Sequence, residues 1–467
     1  MASQDTRSSL AARWLAPIAE LRPGEGGTAL LLFLYSFLAM TSYNIVKPVT
    51  RSQFISSLGA DNLPWVQFGA GLVIGFLMQV YTKAIAAVPR RWTIPVTQAG
   101  MIVLLVIFWV LFTQVGAEWV SVGFYLFGLI LGILLISQFW TLANDIYDAR
   151  QAKRLFGLIG GGSSLGGATG AALTATLVES LGTKTMLLVS AAIMAVCLAI
   201  VVRIIRTNER AGHSDAAKTG EEEGVGGGEA IALLRGSRHL QIIALVITFA
   251  ATGAAIIEQQ LNMATAEAKG QSNTDGITAF LAQGTVYLSL IGLFIQVAVT
   301  SRVHRLLGIG FALLILPVSL GASGLLMLAV GALWTSGLAR VLDTSLRYTV
   351  DKTTREILFL PLPSDVKYRA KPFIDVTVDR LSKGLGALLI LVLIKDWGLG
   401  LTWQQLSYAS LGIMALWVFF ALRARREYLA AFRRSLVQQD MRAGEIRLET
   451  ADLSTIEALV EELAHPE

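Results

Sequence analysis

Long apolar segments recur along the whole chain and constrain its fold more than any other feature. Charge-free examples are Met101–Phe112, Val122–Ile136, Met186–Val202 and Leu406–Leu422. A helix needs about 20 mostly apolar residues to cross the hydrocarbon core of a bilayer, and in lipid only helices and closed barrels satisfy their backbone hydrogen bonds. The chain is 54% hydrophobic and 15% charged, whereas soluble proteins carry about 25% charged residues. Since alternating barrel strands are absent, the sequence predicts an all-α polytopic membrane protein.

About twelve segments have the length that a membrane crossing requires. In the first half of the chain they are 28–48, 62–82, 93–113, 118–143, 155–178 and 184–205. In the second half they are 237–260, 276–299, 307–329, 331–350, 372–394 and 402–422. These spans predict a cytoplasmic N-terminal segment (1–27), a six-helix bundle (28–206), a cytoplasmic linker (207–236), a second six-helix bundle (237–422) and a cytoplasmic tail (423–467). A short surface helix is expected at residues 230–235 of the linker.

The basic residues of the loops sort by side, which is the feature that orients membrane proteins. With the N-terminus inside, the outward loops hold only Arg51, Lys184, Lys269 and Lys395. The inward loops hold many more, among them Lys83, Arg90, Arg91, Arg150, Lys153, Arg154, Arg302, Arg305, Lys352 and Arg355. We therefore expect both termini in the cytoplasm and the protein in the inner (plasma) membrane. Because the net charge of +5 is scattered over short loops, nucleic-acid binding is not expected.

The two halves of the chain resemble each other. Ile74–Val80 (IGFLMQV) and Ile291–Val297 (IGLFIQV) each end the second span of a half. Asp148–Phe156 and Asp351–Phe359 also share an initial Asp, a charged middle and a terminal Leu-Phe. Two parallel six-helix repeats joined by a long central loop resemble the architecture of the major facilitator superfamily, in which solutes bind near the bilayer midplane.

The eleventh predicted span carries an unusual set of charges. Its apolar run, Leu388–Ile394, is too short to cross a bilayer, so the helix should begin near Pro372 and carry Asp375, Asp379, Arg380 and Lys383 into the membrane. Such charges are tolerated only when they pair or face water. Asp375, Asp379 and Lys383 are four residues apart and share a face, with Arg380 to one side. This set either braces a cytoplasmic gate or offers Lys383 to an anionic solute.

Three further segments hold candidate polar groups. In the tenth span Arg340, Asp343 and Arg347 line one face, and they either bind phosphate through the planar guanidinium forks or form a structural Asp343–Arg347 pair. In the first span, Lys47 and Arg51 either reach the outer interface or contact an anion. The fourth span ends at Asn144 and Asp145. Glu258 of the seventh span lies opposite Lys47 in the pseudo-repeat, and a Lys47–Glu258 pair that closes the outward side is one hypothesis, which the sequence leaves open. We take Lys47, Arg51, Asn144, Arg340, Arg347 and Lys383 as candidate solute ligands, and Asp145, Glu258, Asp343, Asp375, Asp379 and Arg380 as candidate gating or coupling residues.

The fifth span is rich in glycine. Gly162, Gly166 and Gly170 recur every four residues, which leaves a smooth stripe where a second helix backbone can approach. A phosphate-binding loop would need a Gly-Lys-Ser/Thr ending, which is missing. The four histidines and the lone Cys197 form no metal-ligand cluster, and no catalytic residues, metal or cofactor are expected.

Several motifs resemble those of the nucleotide transporter family, the ATP/ADP translocases of plastids and intracellular bacteria, and more closely their relatives in free-living bacteria. The matching residues are Ala152–Gly157 (AKRLFG), Pro361 to Lys371, Ile374–Val376 and Lys383–Ala387. The resemblance implies nucleotide transport with membrane-embedded lysines at the phosphates. Lys383 matches one such position, and Lys47 or Arg51 matches another approximately. The nearest counterparts of the family's important carboxylates are Asp145 and Glu258.

Taken together, these features predict a secondary transporter, not an enzyme, that moves an anionic and nucleotide-type solute by alternating access. ATP/ADP antiport is its most specific form. The alternatives are a proton-coupled carrier of another organic solute, in which Asp375, Asp379 or Glu258 titrates, and a non-transporting scaffold or sensor. The expected partners are the solute and the lipid bilayer, and the oligomeric state is left open.

Overall fold

The computed structural model describes residues 25–85, 88–147, 149–210, 227–295, 301–359, 361–362, 366, 370–371 and 373–440. Pro372, most of the predicted N-terminal segment, much of the linker and the end of the tail lie outside the described residues. Within the described part the regular structure is helical, and each of the predicted spans overlaps a helix. The all-α fold class is confirmed.

Six α-helices lie in the described part of the first half of the chain. They are α1 (Gly26–Leu58), α2 (Leu63–Ile85), α3 (Arg90–Gln114), α4 (Glu118–Ile146), α5 (Ala149–Leu181) and α6 (Met186–Arg210). The helix that contains the first predicted span is longer than that span, because α1 continues through Pro48 to Leu58. Membrane helices tolerate an internal proline where their neighbours satisfy the freed backbone groups. Lys47 and Arg51 therefore lie one turn apart inside the same helix.

The second half begins with the short α7 (Gly227–Gly236), which covers the predicted surface helix. It continues with α8 (Arg238–Lys269), α9 (Thr274–Phe294), α10 (Ser301–Val330) and α11 (Leu333–Leu346). A π-helical turn, Arg347–Asp351, joins α11 directly to α12 (Lys352–Leu358). A second π-helical segment, Phe373–Val378, leads into α13 (Asp379–Ile394), and α14 (Leu406–Asp440) ends the described chain.

Two helices run further into the predicted inward segments than expected. The tenth span does not end at residue 350, because its helical course continues through the π-turn and α12 to Leu358. The twelfth continues past residue 422, since Arg423, Arg425 and Arg426 are good helix formers and no breaker follows Leu422. The first charged residues after each apolar run therefore do not mark where these two helices end.

The chain divides into two compact units. The first takes the described residues within Met1–Gly59, Leu72–Gly220 and Lys269–Ser289, and the second those within Ala60–Gly71, Glu221–Ala268 and Leu290–Glu467. In the first unit α1 packs against α4, α5 and α6; in the second, α10 packs against α11 and α14. Each unit has its own apolar core, which includes Phe124 and Leu131 in the first and Leu313 and Trp417 in the second.

Seven helices are long and apolar enough to cross a membrane among the described residues, judged by length and composition. Many large apolar side chains on these helices are exposed, such as Val103, Phe311 and Phe419. Apolar side chains turned outward over this extent suit a lipid environment. The number of twelve crossings stays a prediction.

Candidate transport site

A cavity of about 350 Å³ lies inside the second unit. It is enclosed by α8, by the continuous course of α11, the π-turn and α12, and by the second π-helical segment with α13. Its lining comprises Ile247, Ala251, Ala254, Glu258, Arg340, Asp343, Thr344, Arg347, Tyr348, Lys352, Arg355, Glu356, Phe359, Asp375, Asp379 and Lys383. The volume falls in the range of small-molecule sites, about 300–1,000 Å³.

Positive and negative side chains on the cavity lining are equal in number. The cations are Arg340, Arg347, Lys352, Arg355 and Lys383, and the carboxylates are Glu258, Asp343, Glu356, Asp375 and Asp379. A membrane protein places ionisable groups at such a site only when they pair or contact water. The cavity is therefore a charge-balanced polar site.

The most buried of these charges form one connected network. Asp343, which is 1% exposed, accepts hydrogen bonds from Arg340 Nη1 at 3.3 Å and from Arg347 Nε at 3.1 Å, and Arg347 Nη2 also contacts it. On its other side, Arg340 Nη2 lies 3.3 Å from Glu258 Oε2 of α8. Arg340 is thus shared between two carboxylates, and it links α11 to α8.

Lys383 lies on the cavity lining and is largely accessible. Its Nζ donates to Asp379 Oδ2 at 2.6 Å, and its side chain is 59% exposed. Asp375 also lines the cavity, although the turn that carries it is π-helical and not the α-helix that the spacing implied. Arg380 is exposed and is not on the lining. The structure thus brings Asp375, Asp379 and Lys383 together with Arg340 and Arg347.

Lys352, Arg355 and Glu356 are cavity residues that sequence reasoning missed. The two cations were expected in an inward loop, but they lie on α12 and face the cavity. Arg355 Nε lies 2.9 Å from Oδ2 of the buried Asp351, and Glu356 pairs with Lys371. A signal was present, because positions 340, 344, 348, 352, 355 and 359 continue one helical face beyond the apolar run.

The remaining candidate ligands belong to the first unit. Lys47 is exposed and Arg51 is half-buried on α1, while Asn144 and Asp145 are exposed near the end of α4. None of the four is on the lining of the cavity just described. Glu258 contacts Arg340 inside the second unit, and the pairing of Lys47 with Glu258 stays a prediction.

The glycine stripe of α5 lies against the backbone of α1. A Cβ atom would come within 2.5 Å of Phe33 O at Gly162, 2.1 Å of Phe37 O at Gly166, and 2.2 Å of Thr41 O at Gly170. These distances are far below van der Waals contact. Within the described part of the chain, the stripe is a contact between two helices of the first unit and not a phosphate loop.

The cavity's chemistry suits a polyanion that exchanges partners with carboxylates. Arg and Lys side chains bind phosphate through charge-assisted hydrogen bonds, and Arg does so bidentately. Glu258 and Asp379 already contact Arg340 and Lys383 through their carboxylate oxygens. In the described part of the chain, no group of three or more His, Cys, Asp or Glu side chains could hold a metal ion.

Two family models match the chain. The Major Facilitator Superfamily model covers residues 29–346, and the TLC ATP/ADP transporter model covers residues 327–428. The second match contains the cavity residues of α11, α12 and α13. It confirms the resemblance to the translocase family that the motifs indicated.

Relatives with similar sequences agree with these matches. The chain is 24% identical to "ADP,ATP carrier protein 1" of Chlamydia trachomatis over 67% of this chain and 66% of that protein. It is 21% identical to "ADP,ATP carrier protein 3" of Rickettsia conorii over 68% and 72%. The chain thus spans 66% of the length of the Chlamydia relative.

Among solved structures, the nucleoside transporter NupG superposes with a TM-score of 0.60 at 13% identity, covering 85% of this chain and 98% of that chain. This likeness shows a shared fold. Together with the match over residues 29–346, it means that the chain is a multi-pass membrane protein and belongs to the Major Facilitator Superfamily.

Proposed function

We propose that this protein is a secondary transporter of nucleotides that exchanges ATP for ADP by alternating access. The observation that carries the proposal is the cavity of the second unit, which is lined by five cationic side chains from α11, the π-helical turn after it, α12 and α13. The names of the Chlamydia and Rickettsia relatives support the same substrate class.

The pairing of the charges suggests how the site works. In the absence of solute, carboxylates compensate the cations, as Asp343 and Glu258 do for Arg340. An entering phosphate chain displaces Glu258 from Arg340 and Asp379 from Lys383, and because it takes over their hydrogen bonds neither cation is left without an anionic partner. Release on the other side restores the internal pairs. Competition between internal and solute anions therefore couples solute binding to rearrangement of α8, α11 and α13.

The other sequence candidates take roles in the same proposal. Lys47, Arg51 and Asn144 contribute ligands from the first unit, and Asp145 contributes to gating there. Asp375 and Arg380 act at the cytoplasmic end of the eleventh span. The protein lies in the inner membrane with both termini in the cytoplasm, which the loop charges support.

Uptake measurements test this function directly. Bacterial cells expressing the chain are given labelled ATP and ADP, with and without excess unlabelled nucleotide to drive exchange. We expect uptake by the parent, a strong loss in Lys383→Ala, and little change in Arg426→Ala, a control on α14 whose side chain is exposed and off the cavity lining. A well-folded parent that takes up neither nucleotide would contradict the proposal.

Proton-coupled transport of another organic solute is the second candidate, and Asp375 favours it. Asp375 lines the cavity and is exposed there, so its carboxyl group is accessible to a proton. Solute uptake that depends on an imposed pH gradient and is lost in Asp375→Asn would support this candidate. Uptake that depends only on a counter-nucleotide would exclude it.

A further inference from the structure

Tyr348 presents an aromatic ring to the cavity with little packing of its own. The residue is 66% exposed although it lies on the cavity lining. The other aromatic residue of the lining, Phe359, is 1% exposed, and Lys371 Nζ lies 5.9 Å from its ring centroid. The ring contacts between the described residues do not include Tyr348. Its ring is therefore open for a ligand, whereas that of Phe359 is not.

The local backbone explains this placement. Tyr348 is the second residue of the π-helical turn Arg347–Asp351, and π-helical turns are frequent at functional sites because they reorient side chains. Arg347, immediately before it, is fixed by Asp343. A tyrosine side chain usually contributes to stability by burying roughly 150–250 Å² of its surface. Tyr348 does not do so, because it is largely exposed.

We propose that Tyr348 is the residue against which the base of the transported nucleotide stacks, next to a phosphate site made by Arg340, Arg347 and Lys383. The inference rests on the proposed function and deepens it, because it separates a base subsite from a phosphate subsite. Every nucleobase has a π-face, so stacking tolerates different bases. A larger ring system overlaps more, and purines are therefore bound more tightly than pyrimidines.

Equilibrium binding to the purified full-length protein in lipid nanodiscs tests this subsite. Labelled ADP is the ligand, and unlabelled pyrophosphate is the competitor that has phosphates but no base. We expect Tyr348→Ala and Tyr348→Leu to weaken ADP binding on the order of tenfold, while Tyr348→Phe and Tyr348→Trp retain it. Pyrophosphate competition is expected to change less than twofold in all four variants. Tyr408→Ala is the matched control, because Tyr408 is 65% exposed on α14 and lies off the cavity lining.

The outcomes separate this inference from the proposed function. Equal ADP affinity in the parent and both the Ala and Leu variants would overturn the stacking role while leaving nucleotide transport intact. So would an equal loss for ADP and pyrophosphate, because a general distortion of the cavity affects both. A parent that binds no nucleotide would overturn both. Thermal unfolding checks the fold of each variant, and the Leu variant replaces the Ala variant if the latter does not fold.

Discussion

Arg340 contacts two carboxylates of unequal exposure. Asp343 is 1% exposed and contacts both Arg340 and Arg347, whereas Glu258 is 22% exposed and contacts Arg340. A buried charge that loses its partner costs far more than an accessible one, because water cannot replace the lost contact. The two carboxylates should therefore differ in role: Asp343 stabilises the site, and Glu258 is the one that an anion can displace.

Replacing Asp343 should destabilise the protein. Asp343→Asn leaves two mostly buried guanidinium groups without their shared carboxylate, and we expect a loss of about 3–5 kcal/mol. The measurement is thermal unfolding of the purified protein in detergent. Asp379→Asn is the control, since Asp379 is 28% exposed and pairs with the accessible Lys383. Comparable unfolding temperatures for the two variants would contradict the structural role of Asp343.

Replacing Glu258 should strengthen anion binding. Glu258→Gln keeps the shape of the side chain but removes the charge that competes for Arg340, and ADP should bind on the order of threefold more tightly, as for a partly exposed ion pair. Competition binding of ADP measures the effect. Glu267→Gln is the control on the same helix, because Glu267 accepts from Trp403 Nε1 at 2.7 Å and lies off the cavity lining. Weaker ADP binding in Glu258→Gln would show that Glu258 is not a competitor.

At the scale of helices, the close approach of α1 and α5 depends on three glycines. The backbone oxygens of Phe33, Phe37 and Thr41 occupy the places where side chains at 162, 166 and 170 would begin. Backbone atoms cannot rotate away as a flexible side chain can, so any Cβ here must push the helices apart. Packing of this kind replaces the hydrophobic effect, which does not drive helix association in lipid.

Adding one methyl group to the stripe should therefore be costly. We expect Gly166→Ala to destabilise the protein by about 1–3 kcal/mol through overpacking, even though alanine favours the helix intrinsically. Gly161→Ala on the same helix is the matched control, because a Cβ there meets no atom within 4 Å. The unfolding temperatures of the two variants are compared. Equal temperatures would contradict the prediction, because they would mean that α1 can move away from α5 at no cost in stability.

The sequence predicted these elements to different degrees. Helix positions and the glycine spacing follow from local periodicity, so they could be read without coordinates. The π-helical turns at Arg347–Asp351 and Phe373–Val378 could not, because an inserted residue in a helix depends on packing against neighbouring elements, which local periodicity does not encode. Lys352 and Arg355 were expected in a loop because basic residues were assigned to one side of the membrane by their number in each connecting segment. Such a count does not distinguish a loop cation from one that lines a cavity.

At the scale of the whole molecule, the cavity lies entirely in one of the two units. All five cations of the lining come from the second unit, and each is encoded after residue 339. The TLC ATP/ADP transporter model matches the same part of the chain, residues 327–428. The cations of the cavity and the TLC ATP/ADP transporter match thus fall in the same part of the chain, whereas the Major Facilitator Superfamily match covers residues 29–346.

The predicted topology of the chain can be tested with single cysteines. The native Cys197 is fully buried, so a thiol reagent should give little background labelling. Ser272 and Thr207 are exposed, and the predicted spans put them in an outward loop and at the start of the inward linker. In intact cells, a membrane-impermeant maleimide should label Ser272→Cys within minutes and label Thr207→Cys only after the membrane is permeabilised. The parent chain is the control, and labelling of Thr207→Cys in intact cells would reverse the orientation or change the number of crossings before the linker.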